Sequence, residues 1–176
     1  MPEADGLIIR DATAADVPAL ARLHVTTWND THLGPGGQGP TYELREWQWH
    51  EAFKVTDGSW FCLVIEGRNG ELVGFAKGIP YAHPDQPAYA GELSKIYLLR
   101  AYQRRGLGRR LLGHVARRFL GQGVSSMLLF GVAGNPAYRF YEALGGERLR
   151  SPEGEAGEGN YGWRDLGTLA ALCPIE

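Results

Sequence analysis

Apolar and polar positions change period several times along this chain of 176 residues, and each change marks an element. Leu7-Ile8-Ile9-Arg10 is a short apolar run that reads as a strand. Thr13 offers a helix cap, with Asp16 three residues on as its capping-box partner. From Ala14 to about Trp28, Val17, Leu20, Leu23 and His24 recur at helical spacing, with Pro18 near the first turn. Gly34–Pro40 (GPGGQGP) is a loop, either a cover over a pocket or a plain connection between helices. Tyr42 to about Lys54 reads as a second helix rich in aromatic residues. Trp60–Glu66 and Glu71–Ile79 read as strands, joined by the turn residues Gly67-Arg68-Asn69-Gly70 into an antiparallel hairpin. Pro80, Pro84 and Pro87 end that strand in a loop. Glu92–Leu99 is a further strand. Gly108–Leu120 is an amphipathic helix burying Leu111, Leu112, Val115, Phe119 and Leu120. The continuous apolar run Met127–Val132 has the pattern of a buried strand. A helix opens at Asn135 or Pro136 and stops before Gly145-Gly146. A strand near Glu147–Arg150, an acidic glycine-rich loop and a last strand around Tyr161–Leu166 complete the chain.

This order predicts an α/β (mixed α+β) chain with a mixed sheet and helices on both faces, in one domain spanning residues 1–176. The composition agrees, since 44% hydrophobic residues can build a sizeable core. Eighteen Lys and Arg against 20 Asp and Glu give a net charge of -2, which argues against nucleic acid as a partner. The acidic start lacks the apolar run of a secretory signal, and no stretch approaches the roughly 18 apolar residues of a membrane span. The expectation is a soluble, cytoplasmic protein. Cys62 and Cys173 are far apart, in no CxxC pattern, and read as packing residues rather than a disulfide or metal set. Five scattered histidines without HExxH make no metal site either.

The segment with chemistry in it runs from Glu92 to Leu112. A strand ends, Gln103-Arg104-Arg105-Gly106-Leu107-Gly108 makes a short turn, and a helix begins. Amides at a helix start lack partners within the helix, and the dipole there is positive. Glycines let such amides approach a bulky anion, and a pyrophosphate fits. Arg104, Arg105, Arg109 and Arg110 add forked donors at the same spot. No GK[ST] follows, so this is no Walker loop, and GxGxxG does not fit. Arg117 and Arg118, further along, read as a solvated helix face.

Here the chain resembles the GNAT superfamily of N-acetyltransferases. Gln103–Gly108 is similar to its Q/R-x-x-G-x-G/A coenzyme A signature, and Asn135-Pro-Ala-Tyr-Arg-Phe-Tyr141-Glu-Ala-Leu-Gly145 to its second signature. The likeness spans Leu7 to Leu166. It implies a central, mostly antiparallel twisted sheet of about seven strands, and acetyl-CoA as co-substrate with no metal. It implies that amides from Arg104 to Arg109 hold the pyrophosphate, through Gln103, Arg104, Arg105, Gly106, Leu107, Gly108 and Arg109. The strand edge at Ile96, Leu98 and Leu99 would pair with the pantetheine arm, where the strand splays from its parallel neighbour. Asn135 would contact the coenzyme, although it stands one residue nearer to Tyr141 than is usual, so Gly134 is its rival. A homodimer is common in the family and stays open.

Two residues then have catalytic expectations. An alkylammonium must lose a proton before it attacks a thioester. Glu92 lies at the register where the family places a base-forming glutamate, though it could equally cap the strand or pair with Lys95. Tyr141 would place its hydroxyl near the thioester sulfur and protonate the leaving thiolate; the plainer reading is a core aromatic. An amide near Ile96 to Leu98 could stabilise the developing oxyanion. Cys62 has no base nearby in sequence, which favours direct attack over an acyl-cysteine. The family's acceptor site draws on the first two helices and the loop before the coenzyme strand, which here carry Trp28, His32, Tyr42, Trp47, Tyr81, His83 and Tyr89; the plainer reading makes half of these core, and Trp28, His32, Tyr81 and His83 are the candidates kept. A small primary amine is expected, with a protein N-terminus or lysine, or a non-catalytic coenzyme A-binding module, as alternatives.

Overall fold

The computed structural model describes residues 6–33, 37–132, 134–154 and 156–175. The first residues of the chain and most of the first half of the Gly34–Pro40 loop lie outside the described residues. Seven strands form one mixed sheet in the order β1-β2-β3-β4-β5-β7-β6. The strands are β1 (Ile8–Asp11), β2 (Phe61–Glu66), β3 (Leu72–Pro80), β4 (Gly91–Leu98), β5 (Met127–Phe130), β6 (Glu147–Arg150) and β7 (Ala156–Trp163). The helices are α1 (Val17–His32), α2 (Tyr42–Phe53), α3 (Leu107–Gly121), α4 (Tyr138–Ala143) and α5 (Leu166–Leu172). β4 and β5 run parallel, and β1–β2, β5–β7 and β6–β7 antiparallel. Contacts divide the chain into two compact units, Met1–Lys77 with Lys95–Leu111, and Gly78–Ser94 with Leu112–Glu176.

In the first unit, β1 pairs with β2 from Ile8↔Glu66 to Asp11↔Leu63. A 3-10 turn, Ala14–Asp16, precedes α1, and the Thr13 N–H donates to Asp16 Oδ2 at 2.7 Å. The Thr13–Asp16 pair thus opens this turn, and the α-helix proper begins at Val17 rather than Ala14 and runs past Trp28 to His32. Val17, Leu20, Ala21 and Leu23 of α1 and Trp49 of α2 close on Cys62 and Val64 of β2 and on Leu72 and Phe75 of β3. Burying each large side chain of this kind contributes about 1.5–3 kcal/mol. Every residue from Phe61 to Ile65 is buried, so both faces of β2 are covered.

In the second unit, β5 presents Met127, Leu128 and Leu129 to the core. Gly91 opens β4 where a Cβ would come 2.9 Å from the Phe119 ring of α3, so only glycine admits that helix so close. Four expectations are corrected here. Leu120, in the last turn of α3, is exposed rather than buried. The last strand is Ala156–Trp163, not Tyr161–Leu166, and it takes in the second half of the stretch expected to be a glycine-rich loop. Pairing with β5 at Asn160↔Phe130 and with β6 at Ala156↔Arg150 outweighs the weak strand preference of those glycines. Leu166 instead opens α5, where Asp165 Oδ1 accepts the N–H groups of Gly167 and Thr168. Arg117 is not a solvated residue of the helix face. Its guanidinium donates to the carbonyls of Gly113, Ala170 and Cys173 at 3.1, 3.1 and 2.9 Å and fastens the end of α5 onto α3.

Candidate active site

The chain leaves β4 through a turn of 3-10 helix, Arg100–Tyr102, in which the Tyr102 N–H donates to Leu99 O at 2.9 Å. Gln103 Nε2 donates to Leu98 O at 3.2 Å and folds the turn back onto the strand end. Arg104 then takes φ 62° and Gly106 φ 79°. A left-handed backbone costs a non-glycine residue about 1–2 kcal/mol. Arg104 is the one non-glycine position with positive φ among the described residues, and such strain collects at ligand clamps. Leu107 is buried and anchors the start of α3. Arg110 N–H donates to Gly106 O at 3.1 Å; the amides of Leu107 and Gly108 come before that bond, where a helix supplies no acceptor. A Cβ at Gly106 would meet nothing within 4 Å, so the bend faces open space.

Arg104, Arg105 and Arg109 are exposed around this bend, with the Arg105 Cζ 5.2 Å from the Tyr102 ring centroid. Arg110 is half-buried, and its Nε is buried without a hydrogen-bond partner. Converging amides, a positive helix end, several guanidinium groups and one orphaned donor fit the pyrophosphate of coenzyme A.

β4 has a second relevant property. Its parallel ladder with β5 is two residue pairs long, Gly91↔Met127 and Glu92↔Leu128, although β4 continues to Leu98. Its register against β3 also slips. Tyr81 N–H donates to Ala90 O and Leu99 N–H to Val73 O, each at 2.9 Å. One strand therefore advances nine residues while the other covers eight, which places a one-residue β-bulge in β4. A bulge reverses which backbone groups face which edge. Ile96, Leu98 and Leu99 are half-buried.

Glu92 is half-buried near the start of β4. Tyr81 lies close enough to feel its charge: burial first, then Asp85 and Glu92, raise the Tyr81 phenol above its ordinary value. The Tyr81 ring stands 5.9 Å from that of Phe130 and 6.5 Å from that of His83. His83 is exposed, and its Nδ1 accepts the Asp85 N–H at 3.2 Å. The second unit thus brings Tyr81, His83 and Glu92 into one neighbourhood. Tyr141, on α4 in the same unit, is half-buried among Phe140, Tyr161 and Trp163, at ring distances of 5.6, 5.8 and 6.0 Å. Asn135 turns inward on its own chain: Oδ1 accepts the Ala137 N–H at 3.0 Å, so α4 starts at Tyr138 instead of Asn135 or Pro136. Gly134 beside it is exposed, with φ 84° and open space around it.

Trp28 and His32 sit together in the first unit, with ring centroids 4.9 Å apart. His32 Nε2 lies 3.0 Å from the Tyr97 hydroxyl, and burial, then the charge of Arg45, hold its imidazole below the usual range. Behind them His24, Trp49, Phe75 and Tyr97 stack as one aromatic cluster. Sequence reasoning did not single out Arg45 or Tyr97. The alternation along Glu92–Leu99 could have marked Tyr97 as inward-facing, but nothing local marks Arg45. Among the described residues no group of three or more His, Cys, Asp or Glu side chains converges on a point, and no helix is long and apolar enough to cross a membrane.

Comparison with known proteins bears on this geometry. The model of the Acetyltransferase (GNAT) family matches residues 18–146. The uncharacterized N-acetyltransferase YuaI of Bacillus subtilis (strain 168) is 33% identical over 171 residues, 93% of this chain and 96% of that one. Among solved structures, the PaiA N-acetyltransferase of Thermoplasma acidophilum in complex with coenzyme A shares the fold at a TM-score of 0.65. It has 18% identity, over 89% of this chain and 97% of its own. YncA of Salmonella typhimurium, assigned as an acetyltransferase and solved with acetyl-CoA, does so at a TM-score of 0.62. Its identity is 22%, over 91% of this chain and 94% of its own. With the family match covering well over half of its length and a relative of that identity along nearly all of it, the chain belongs to the GNAT family of acetyltransferases.

Proposed function

We propose that this protein transfers the acetyl group of acetyl-CoA to the primary amine of a small molecule by direct attack, with both substrates bound together. The observation that carries the reading is the left-handed bend at Arg104 and Gly106 opening α3, with guanidinium groups around it. In this reading Gln103, Arg104, Arg105, Gly106, Leu107, Gly108 and Arg109 hold the pyrophosphate. The β4 edge at Ile96, Leu98 and Leu99 hydrogen-bonds the pantetheine arm, and Asn135 or Gly134 contacts the coenzyme. Acetyl-CoA supplies an activated thioester when bound. Glu92 draws the proton from the incoming ammonium through water, and a β4 amide donates to the carbonyl oxygen as it gains charge. Tyr141 O–H gives its proton to the departing sulfur. The cysteines support direct attack: both are buried, and burial pushes the Cys62 thiol up to about 12, so it offers no thiolate to acylate. Trp28, His32, Tyr81 and His83 line the acceptor side.

The test is release of free thiol from acetyl-CoA with a panel of amines and peptides. Small amines should be turned over, and turnover with peptides alone would move the acceptor to a protein amine. Tyr141→Phe should lower kcat by about 10²-fold with coenzyme A affinity nearly unchanged, and Glu92→Gln should lose most activity at low pH, where more of the amine is protonated. Unchanged turnover in Tyr141→Phe rejects the acid role, and a variant-to-wild-type ratio flat across pH rejects the base.

A further inference from the structure

One guanidinium in the first unit is buried without a counter-ion. Arg45 of α2 is 8% exposed. Its Nη1 donates to Gln48 Oε1 at 3.0 Å, its Cζ stands 5.9 Å from the Trp28 ring centroid, and its Nε is buried with no acceptor. No carboxylate of the described residues acts on it; burial, opposed by the Tyr97 phenol, leaves its proton affinity below the ordinary value. Removing a cation from water is costly unless an anion replaces the lost hydration. The flanking Glu43 and Glu46 do not do so, and Glu46 is engaged by Tyr42, whose hydroxyl donates to it at 2.6 Å.

Arg45 is packed among polar and aromatic side chains of the first unit rather than set on a solvated face. Trp28 stacks near both Arg45 and His32, and His32 Nε2 meets the Tyr97 hydroxyl. Next to Trp28 on α1, Asn29 has a buried Oδ1 without a partner. Gly39 closes over the pair, since any side chain there would strike both Trp28 and Asn29 Oδ1. One orphaned donor, on Arg45, and one orphaned acceptor, on Asn29, thus lie near the same indole. The charge of Arg45 reaches both His32 and Tyr97, which places all three groups in one local field.

From this geometry we infer that Arg45 is the anion-recognition residue of the acceptor site, and that the acceptor is a small amine carrying a carboxylate, of amino-acid type. The inference rests on the acetyl-transfer reading above and narrows it. A planar carboxylate matches the guanidinium fork, and Asn29 Oδ1 is left to take an N–H or O–H donor of the same ligand. A polyamine, by contrast, would bring further positive charge toward a cation that already lacks an anion.

The test compares each of several free amino acids with its own primary amide, and with a linear diamine, in the thiol-release assay. Wild type, Arg45→Lys and Arg45→Gln are assayed, with coenzyme A binding followed by calorimetry as a check on folding. The wild type should prefer acid over amide by roughly thirtyfold or more in kcat/KM, mostly through KM. Arg45→Gln should erase that ratio with coenzyme A affinity unchanged, and Arg45→Lys should restore part of it. Equal use of acids and amides by the wild type, or preference for the diamine, overturns the inference while leaving acetyl transfer standing; this arm needs no variant to fold. If no amine is turned over, the acids and amides are titrated into the coenzyme A-loaded protein. Tighter binding of the acids then supports the anion site and sinks the catalytic reading, and equal or absent binding of both overturns the inference.

Discussion

Trp49 Nε1–H donates to His24 Nδ1 at 3.1 Å, which fixes the proton of His24 on Nε2. The imidazole is 1% exposed; burial, then the charges of Arg45, Lys95 and Lys77, lower its affinity for a second proton to about 2. The unfolded chain takes up that proton near pH 6.5 and the folded one refuses it, so the unfolded state gains stability as pH falls below 6.5. By pH 5 this single residue costs about 2 kcal/mol of folding stability relative to pH 8. His24→Gln keeps an acceptor for Trp49 and removes the titration, so denaturant unfolding should show the variant losing about 2 kcal/mol less over that range. Parallel pH profiles would reject the assignment. His24 was legible as an inward position from helical spacing, but its partner 25 residues away was not. Arg45 was illegible for the opposite reason. An arginine between Glu43 and Glu46 on a helix has every local sign of a solvated residue, and only the packing of α2 buries it.

At the level of elements, the bend proposed to hold the pyrophosphate depends on Gly106 at φ 79°, which an alanine adopts only with strain. Gly106→Ala should weaken coenzyme A binding about tenfold as the bend relaxes. Gly58→Ala is the control: it has φ 79° and equal open space but belongs to the connection between α2 and β2, so it should cost similar stability and leave coenzyme affinity alone. Equal affinities for the two variants would remove the bend from the binding site. Elements with a strong period or a strong cap were readable: α2, α3 and β2 fall within a residue or so of expectation. α5 was not, because Leu166–Leu172 is too short for its period to separate helix from strand, and its hold on the fold comes from Arg117, 49 or more positions before it. The three carbonyls met by Arg117 make that clamp strong. Arg117→Ala should destabilise the chain by about 2–3 kcal/mol, read by chemical denaturation. A loss under about 0.5 kcal/mol would show that α5 docks without it.

For the molecule as a whole, the near-neutral balance of 18 basic and 20 acidic residues hides a sharp local asymmetry, with four arginines within Arg104–Arg110. That contrast, and the order of strands and helices before α5, were visible in the sequence; the parting of β4 from β5 was expected only through the family likeness, and the extra residue between Ala90 and Leu99 not at all, because register is decided between strands and leaves no local mark. The two compact units each hold one buried cysteine, Cys62 at 4% and Cys173 at 0% exposure, and neither is in a disulfide. A thiol that sees solvent only when its surroundings open is a clock for that opening. With Cys62→Ser or Cys173→Ser leaving one thiol at a time, the rate of reaction with a coloured disulfide reagent times each half of the chain separately. In the Arg117→Ala background Cys173 should react faster while Cys62 keeps its pace; equal acceleration of both would mean that the halves breathe as one.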